Sequence, residues 1–119
     1  MDASQILAGV MDEWKAGIDT HDPGRVAAAF TEDAVFQGLR PYGVGRDAVA
    51  DYYGSQPVGM AATSRMPDSR RPTDEVALGY LTAIFSYPDR PAVELALGVV
   101  LTRLNEAWLV AQYQASRLP

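Results

Sequence analysis

Val76-Ala77-Leu78-Gly79-Tyr80-Leu81-Thr82-Ala83-Ile84-Phe85-Ser86-Tyr87, Val93-Glu94-Leu95-Ala96-Leu97-Gly98-Val99-Val100-Leu101-Thr102-Arg103-Leu104 and Trp108-Leu109-Val110-Ala111-Gln112-Tyr113-Gln114 are the segments that decide the fold. They lie between Glu75 and Ser116 and are rich in β-branched and aromatic residues, as strands are. Pro88-Asp89-Arg90-Pro91 separates the first two and supplies turn chemistry, with no ladder donors at its prolines. Asn105-Glu106-Ala107 separates the second from the third. The simplest product is an antiparallel meander.

A half-exposed antiparallel strand shows one polar set among its alternating residues. Here neither set is polar. In the middle segment Val93, Leu95, Leu97, Val99 and Leu101 fall on one face, and Ala96, Gly98, Val100 and Leu104 on the other. Each large apolar side chain gains ~1.5–3 kcal/mol on burial, so both faces are expected to be covered. The N-terminal half can supply helices for one face, which leaves a second subunit for the other.

At 119 residues and 48% hydrophobic content the chain fits one domain, 1–119, with a single core. A net charge of −5 and a pI near 4.6 argue against nucleic-acid or anionic-membrane partners, which need a basic surface. The absence of cysteine excludes a disulfide framework, a thiol nucleophile and a thiolate metal site. Met1-Asp2-Ala3-Ser4-Gln5 lacks the basic start of a signal peptide, and no apolar run approaches the ~18 residues of a membrane span. The expected setting is cytoplasmic.

Ahead of the meander, Ile6, Leu7, Val10, Met11, Trp14 and Ile18 recur at helical spacing, with Asp2 and Gln5 as a capping pair. This helix should end between Asp19 and His21. Asp22-Pro23 opens a short second helix with Val26, Ala27 and Phe30 inward, closed by Thr31-Glu32-Asp33. Ala34-Val35-Phe36-Gln37 reads as a brief strand, and Gly38 to Gly45 as a loop. Arg46 to Tyr53 reads as a third helix stopping at Gly54, and Met60 to Arg71 as a strand that Pro67 and Pro72 confine to an edge or a bulge.

Three stretches in this order carry a resemblance: Phe30-Thr31-Glu32-Asp33-Ala34-Val35-Phe36, Gly45-Arg46-Asp47-Ala48-Val49 and Trp108 to Ser116. They resemble the SnoaL-like and ketosteroid-isomerase-like branch of the nuclear transport factor 2-like superfamily. The resemblance implies an α+β cone, a curved, mostly antiparallel sheet wrapped around three N-terminal helices and enclosing an apolar pocket, with dimers often formed through the sheet's outer face. It also implies places for chemistry. The general base of the family's steroid isomerases falls at or near Gly38, their oxyanion-binding tyrosine at Trp14, and their second acid among Gly98, Val99 and Val100. None of the three is present, and the family's paired histidines cannot be, since His21 is the sole histidine.

The candidate catalytic residues are therefore Glu94 and His21. Histidine is the one side chain whose ordinary pKa lies near neutrality, but the place of His21 at a helix-helix turn suits capping of helical carbonyls. Glu94 lies in an apolar strand beside the small Ala96 and Gly98; in a pocket, desolvation would raise its pKa into catalytic range, whereas at the strand's open end it is simply solvated. Trp14, Phe36, Tyr42, Tyr52, Tyr53, Tyr80 and Phe85 are candidates to line an apolar pocket, with Gln37, Gln112 and Gln114 as its orienting polar groups. Arg65, Arg70 and Arg71 could grip an anion, but such loop clusters more often balance an acidic surface. No phosphate loop and no metal-ligand spacing is visible, so neither cofactor nor metal is expected.

These readings leave three functions open: a cofactor-independent isomerase, cyclase or dehydratase acting by proton transfer on a hydrophobic molecule such as a polyketide-derived one, a non-catalytic binding or homodimerisation module, or a purely structural homodimer with its cavity filled by side chains. A carboxylate or imidazole inside the cavity would favour the first. A cavity lined only by apolar and amide groups would favour the second, and one well under roughly 300 Å³ a structural module.

Overall fold

The first helix, α1 (Ala3–Asp19), starts at a capping box in which the Asp2 carboxylate accepts from Gln5 N–H and the Gln5 side chain accepts from Asp2 N–H. Its apolar stripe, Ile6, Leu7, Met11, Trp14 and Ile18, is buried. The computed structural model describes residues 1–118. The helix ends in a Schellman turn: His21 N–H donates to the Ile18 carbonyl and Asp22 N–H to that of Gly17, with His21 at φ 50°. Asp22 then caps α2 (Pro23–Ala28) by accepting from Arg25 N–H at 3.1 Å.

The second helix is shorter than its sequence suggested. Thr31, Glu32 and Asp33 do not close it; they belong to β1 (Phe30–Gln37). Val110 N–H donates to the Ala29 carbonyl at 2.8 Å, so the last strand captures the chain as soon as α2 ends. Phe30 and Thr31 are buried while Glu32 and Asp33 stay exposed. The loop that follows contains a two-residue strand, β2 (Gly43–Val44), ahead of α3 (Arg46–Gly54).

The remaining strands are β3 (Ala61–Thr73), β4 (Val76–Ser86), β5 (Val93–Leu104) and β6 (Ala107–Arg117). They form one six-stranded sheet in the order β2-β1-β6-β5-β4-β3. Every pairing is antiparallel except β1 with β6, which is parallel and joins the N-terminal half to the meander. Pro67 and Pro72 of β3 fall within its two register shifts, Arg65/Asp68 and Arg70/Thr73, on the strand that forms the sheet's edge.

The α+β cone expected from the sequence is the fold observed. Leu95, Leu97, Val99 and Leu101 of β5 point inward with Ala77, Leu81, Ala83 and Phe85 of β4, and α1 packs across them. The Gly79 position shows how closely: a Cβ there would lie 2.8 Å from the Leu7 side chain. Polar ties fasten the ends of the helices, with Asp19 accepting from Ala62 N–H at 3.0 Å and Arg46 donating to the Phe30 carbonyl at 2.8 Å. The opposite face of the sheet has no cover among the described residues and exposes Val35, Leu78, Tyr80 and Ile84.

Candidate functional site

Inside the cone α3, the start of β3 and the ends of β4 and β6 converge on an aromatic interior. Trp14, Phe30, Phe36, Tyr53, Phe85 and Tyr113 are buried there. Phe36 stacks on Tyr113 at 4.9 Å between centroids, and Trp14 meets Phe85 edge-on at 5.9 Å. The Trp14 indole N–H donates to the Tyr53 hydroxyl at 3.0 Å. Burial pushes the Tyr53 and Tyr113 hydroxyls well above the ordinary tyrosine value, so both remain protonated donors at any physiological pH.

Little space is left among these rings. The cleft they border, closed outward by Tyr52, Gln56, Met60 and Tyr87, measures only about 20 Å³, room for about one water. Among the described residues this cleft is far smaller than the ligand-sized pocket expected within the cone, because Tyr53, Phe85 and Tyr113 crowd it. Gly38 lines the same cleft. A Cβ at Gly38 would lie 2.4 Å from the Tyr52 ring, so the place the resemblance assigns to a base is taken by an aromatic face. Tyr52 is held there by Leu39 N–H, which donates to its hydroxyl at 3.3 Å.

The structure divides the sequence candidates. Trp14, Phe36, Tyr52, Tyr53 and Phe85 come together in and around the interior. Glu94 does not: it pairs with Ile84 on the outer face and is exposed, bordering a shallow hollow with Arg65. Its parity with Ala96 and Gly98 sets it there, opposite to Leu95 and Leu97. Gln37, Gln112 and Gln114 are on that outer face too, where β1 and β6 pair Gln37 with Gln114, and Tyr80 is exposed beside them. Tyr42 sits on the loop before β2, two-thirds exposed. His21 borders a void of about 10 Å³ behind Tyr53, Gln56 and Met60, and does not reach the cleft's lining.

The sequence reading passed over Phe30, Gln56, Met60, Tyr87 and Tyr113. Tyr113 was discoverable, because it alternates with two glutamines in a strand and so must face away from them.

No family model matches the sequence, and no curated protein matches it. Solved structures do match the fold. A domain of unknown function with a cystatin-like fold from Nostoc punctiforme superposes with a TM-score of 0.85 at 15% identity, over 98% of this chain and 77% of that one. An NTF-2 like protein of unknown function from Shewanella oneidensis gives 0.82 at 8% identity, over 95% and 98%. The chain has the nuclear transport factor 2-like fold. A ketosteroid isomerase-like protein from Erwinia carotovora atroseptica shares this nuclear transport factor 2-like arrangement, with a TM-score of 0.77 and 19% identity over 97% of this chain and 95% of that one. At such identities the likeness is one of backbone, and the side chains within the cone have to be read for themselves.

Proposed function

We propose that the protein is a non-catalytic binding module for a hydrophobic small molecule bearing a hydrogen-bond acceptor, and that it works as a homodimer. The observation carrying this reading is the make-up of the mouth. Tyr52, Tyr53, Tyr87 and Tyr113 bring hydroxyls, Gln56 an amide, and the other side chains of the lining are apolar. Proton transfer needs a group that titrates near working pH. A carboxylate or imidazole is what an isomerase, cyclase or dehydratase would use, and the mouth lining contains neither. Neutral hydroxyls can still donate to a carbonyl.

Closed, the cleft of about 20 Å³ has the size set above for a structural module, so the binding reading requires the mouth to open, and Tyr52 is the side chain placed to do it. It is half-buried and forms the wall between the interior cleft and a surface hollow of about 210 Å³ bordered by Arg40, Ala48 and Asp51. Swinging Tyr52 into that hollow would break one hydrogen bond and join the two spaces. The dimer is supported by the uncovered outer face, where Leu78, Tyr80 and Ile84 lie on neighbouring positions of β4 beside Val100 of β5.

Titration with 1-tetralone, a neutral bicyclic ketone, tests the reading. Binding should move the Trp14 indole N–H resonance saturably and tighten when Tyr52→Ala removes the wall, with no acceleration of deuterium exchange at the ketone's α-carbon. Accelerated exchange would make the protein a proton-transfer catalyst, and a silent Trp14 signal in both forms would remove the interior as a site.

A further inference from the structure

A far larger hollow lies between α1, the end of α2 and the start of β6. It measures about 410 Å³ and is walled by Ile6, Gly9 and Val10 of α1, Ala28 at the end of α2, and Trp108 and Leu109 at the start of β6. That volume is within the range of small-molecule sites. Its surfaces come from three separate elements, so it is a groove rather than one bare helix face.

Gly9 makes the groove deep. It sits within the 17-residue α1, where glycine weakens a helix relative to alanine. Packing does not require it: a Cβ at Gly9 would meet no heavy atom within 4 Å. What any larger residue would take away is the open space itself. The opposite wall is held firmly although Trp108 is only partly buried. The Arg71 guanidinium lies 5.5 Å from the Trp108 ring centroid and donates to the Met1 carbonyl at 2.9 Å.

The charges at the rim are matched within the chain. Arg25 donates from Nε and Nη2 to the two carboxylate oxygens of Glu13, at 3.0 and 3.2 Å. A charged occupant would have to break this two-pronged pair. A neutral one leaves it intact and covers apolar walls.

We infer that this groove binds a neutral, apolar small molecule, at a site separate from the mouth of the cone. The two sites carry their own reporters, because the chain has two tryptophans, Trp14 in the interior and Trp108 in the groove.

The test is titration with N-phenyl-1-naphthylamine, a neutral fluorescent probe, followed by its emission and by the two indole N–H resonances. One probe should bind per chain and shift Trp108 while leaving Trp14 in place. Gly9→Leu should weaken binding at least about tenfold by filling the space. Leucine favours helix and its Cβ meets no heavy atom within 4 Å, so circular dichroism should show Gly9→Leu folded; Ala28→Leu blocks the groove independently from α2. Unchanged affinity in both blocking variants, a shift confined to Trp14, or no saturable binding overturns the inference. So does a wild-type dimer that Gly9→Leu converts to monomer, since the groove would then belong to a second copy.

Discussion

The Trp14 indole N–H and the Tyr53 hydroxyl oxygen, 39 positions apart in sequence, meet at 3.0 Å inside the cone. This bond ties α1 to α3 and satisfies a donor fully removed from water. Tyr53→Phe keeps the ring and orphans the indole, so it should cost about 1–3 kcal/mol in urea unfolding. Trp14→Phe in the same background should then cost less than it does alone, the shortfall measuring the coupling.

The buried tyrosines set an alkaline limit. Tyr53 and Tyr113 hold their protons above the ordinary value near 10 because of burial. Their stability contribution is thus complete below about pH 10 and declines above it, as the unfolded chain releases protons that the folded one retains. Absorbance titration at high pH should show these phenols ionising only together with loss of near-ultraviolet circular dichroism.

At the acid end the sign reverses. Arg25 holds the Glu13 carboxylate below its ordinary value, and hydrogen bonds from Gln5 N–H and Ser4 do the same for Asp2. Their contribution is present above the unfolded values near 4 and disappears as pH falls through the folded ones. The melting temperature should therefore drop between pH 5 and 3, roughly, and Glu13→Gln should flatten part of that drop.

His21 occupies the left-handed region at φ 50°, which glycine adopts without strain. His21→Gly should therefore raise stability by about 1 kcal/mol and leave ligand binding as it was, since His21 stands behind the cleft rather than in it. An increase in melting temperature checks the first part, and 1-tetralone affinity the second.

The outer face of the sheet makes a prediction about assembly. Sedimentation should give a dimer for the native chain and a monomer for Tyr80→Asp, because a charge at the centre of an apolar contact is not matched across it. A native chain that sediments as a monomer would end the dimer reading.

How far the sequence could be read depended on whether the signal was local. The alternation of Leu95, Leu97, Val99 and Leu101 set one face of β5 apart without telling which face is inward, and the turn residues placed both hairpins. Thr31 to Asp33 misled because acidic residues at the end of a helix look like a stop, whereas the parallel pairing with β6 that brackets them, at Phe30 and Val35, comes from about eighty residues away. Gln112 and Gln114 misled for a related reason. A register shift between Val100 and Leu101 leaves Ala111 unpaired and decides which side each glutamine takes. The interior tyrosines were legible as aromatic residues but not as plugs, since cavity volume is set by how several elements converge. The groove beside Gly9 left no mark at all, because its one signature is a side chain that is missing.

The two free margins of the sheet have a further consequence. One, β2, is two residues long, and the other, β3, is broken by Pro67 and Pro72 at its register shifts. Neither offers the unbroken row of donors and acceptors on which another chain could template itself, so fibrillar growth by strand addition is blocked at both ends. A protein with these borders can carry a wide apolar sheet surface and still meet its partners face to face, without seeding aggregates.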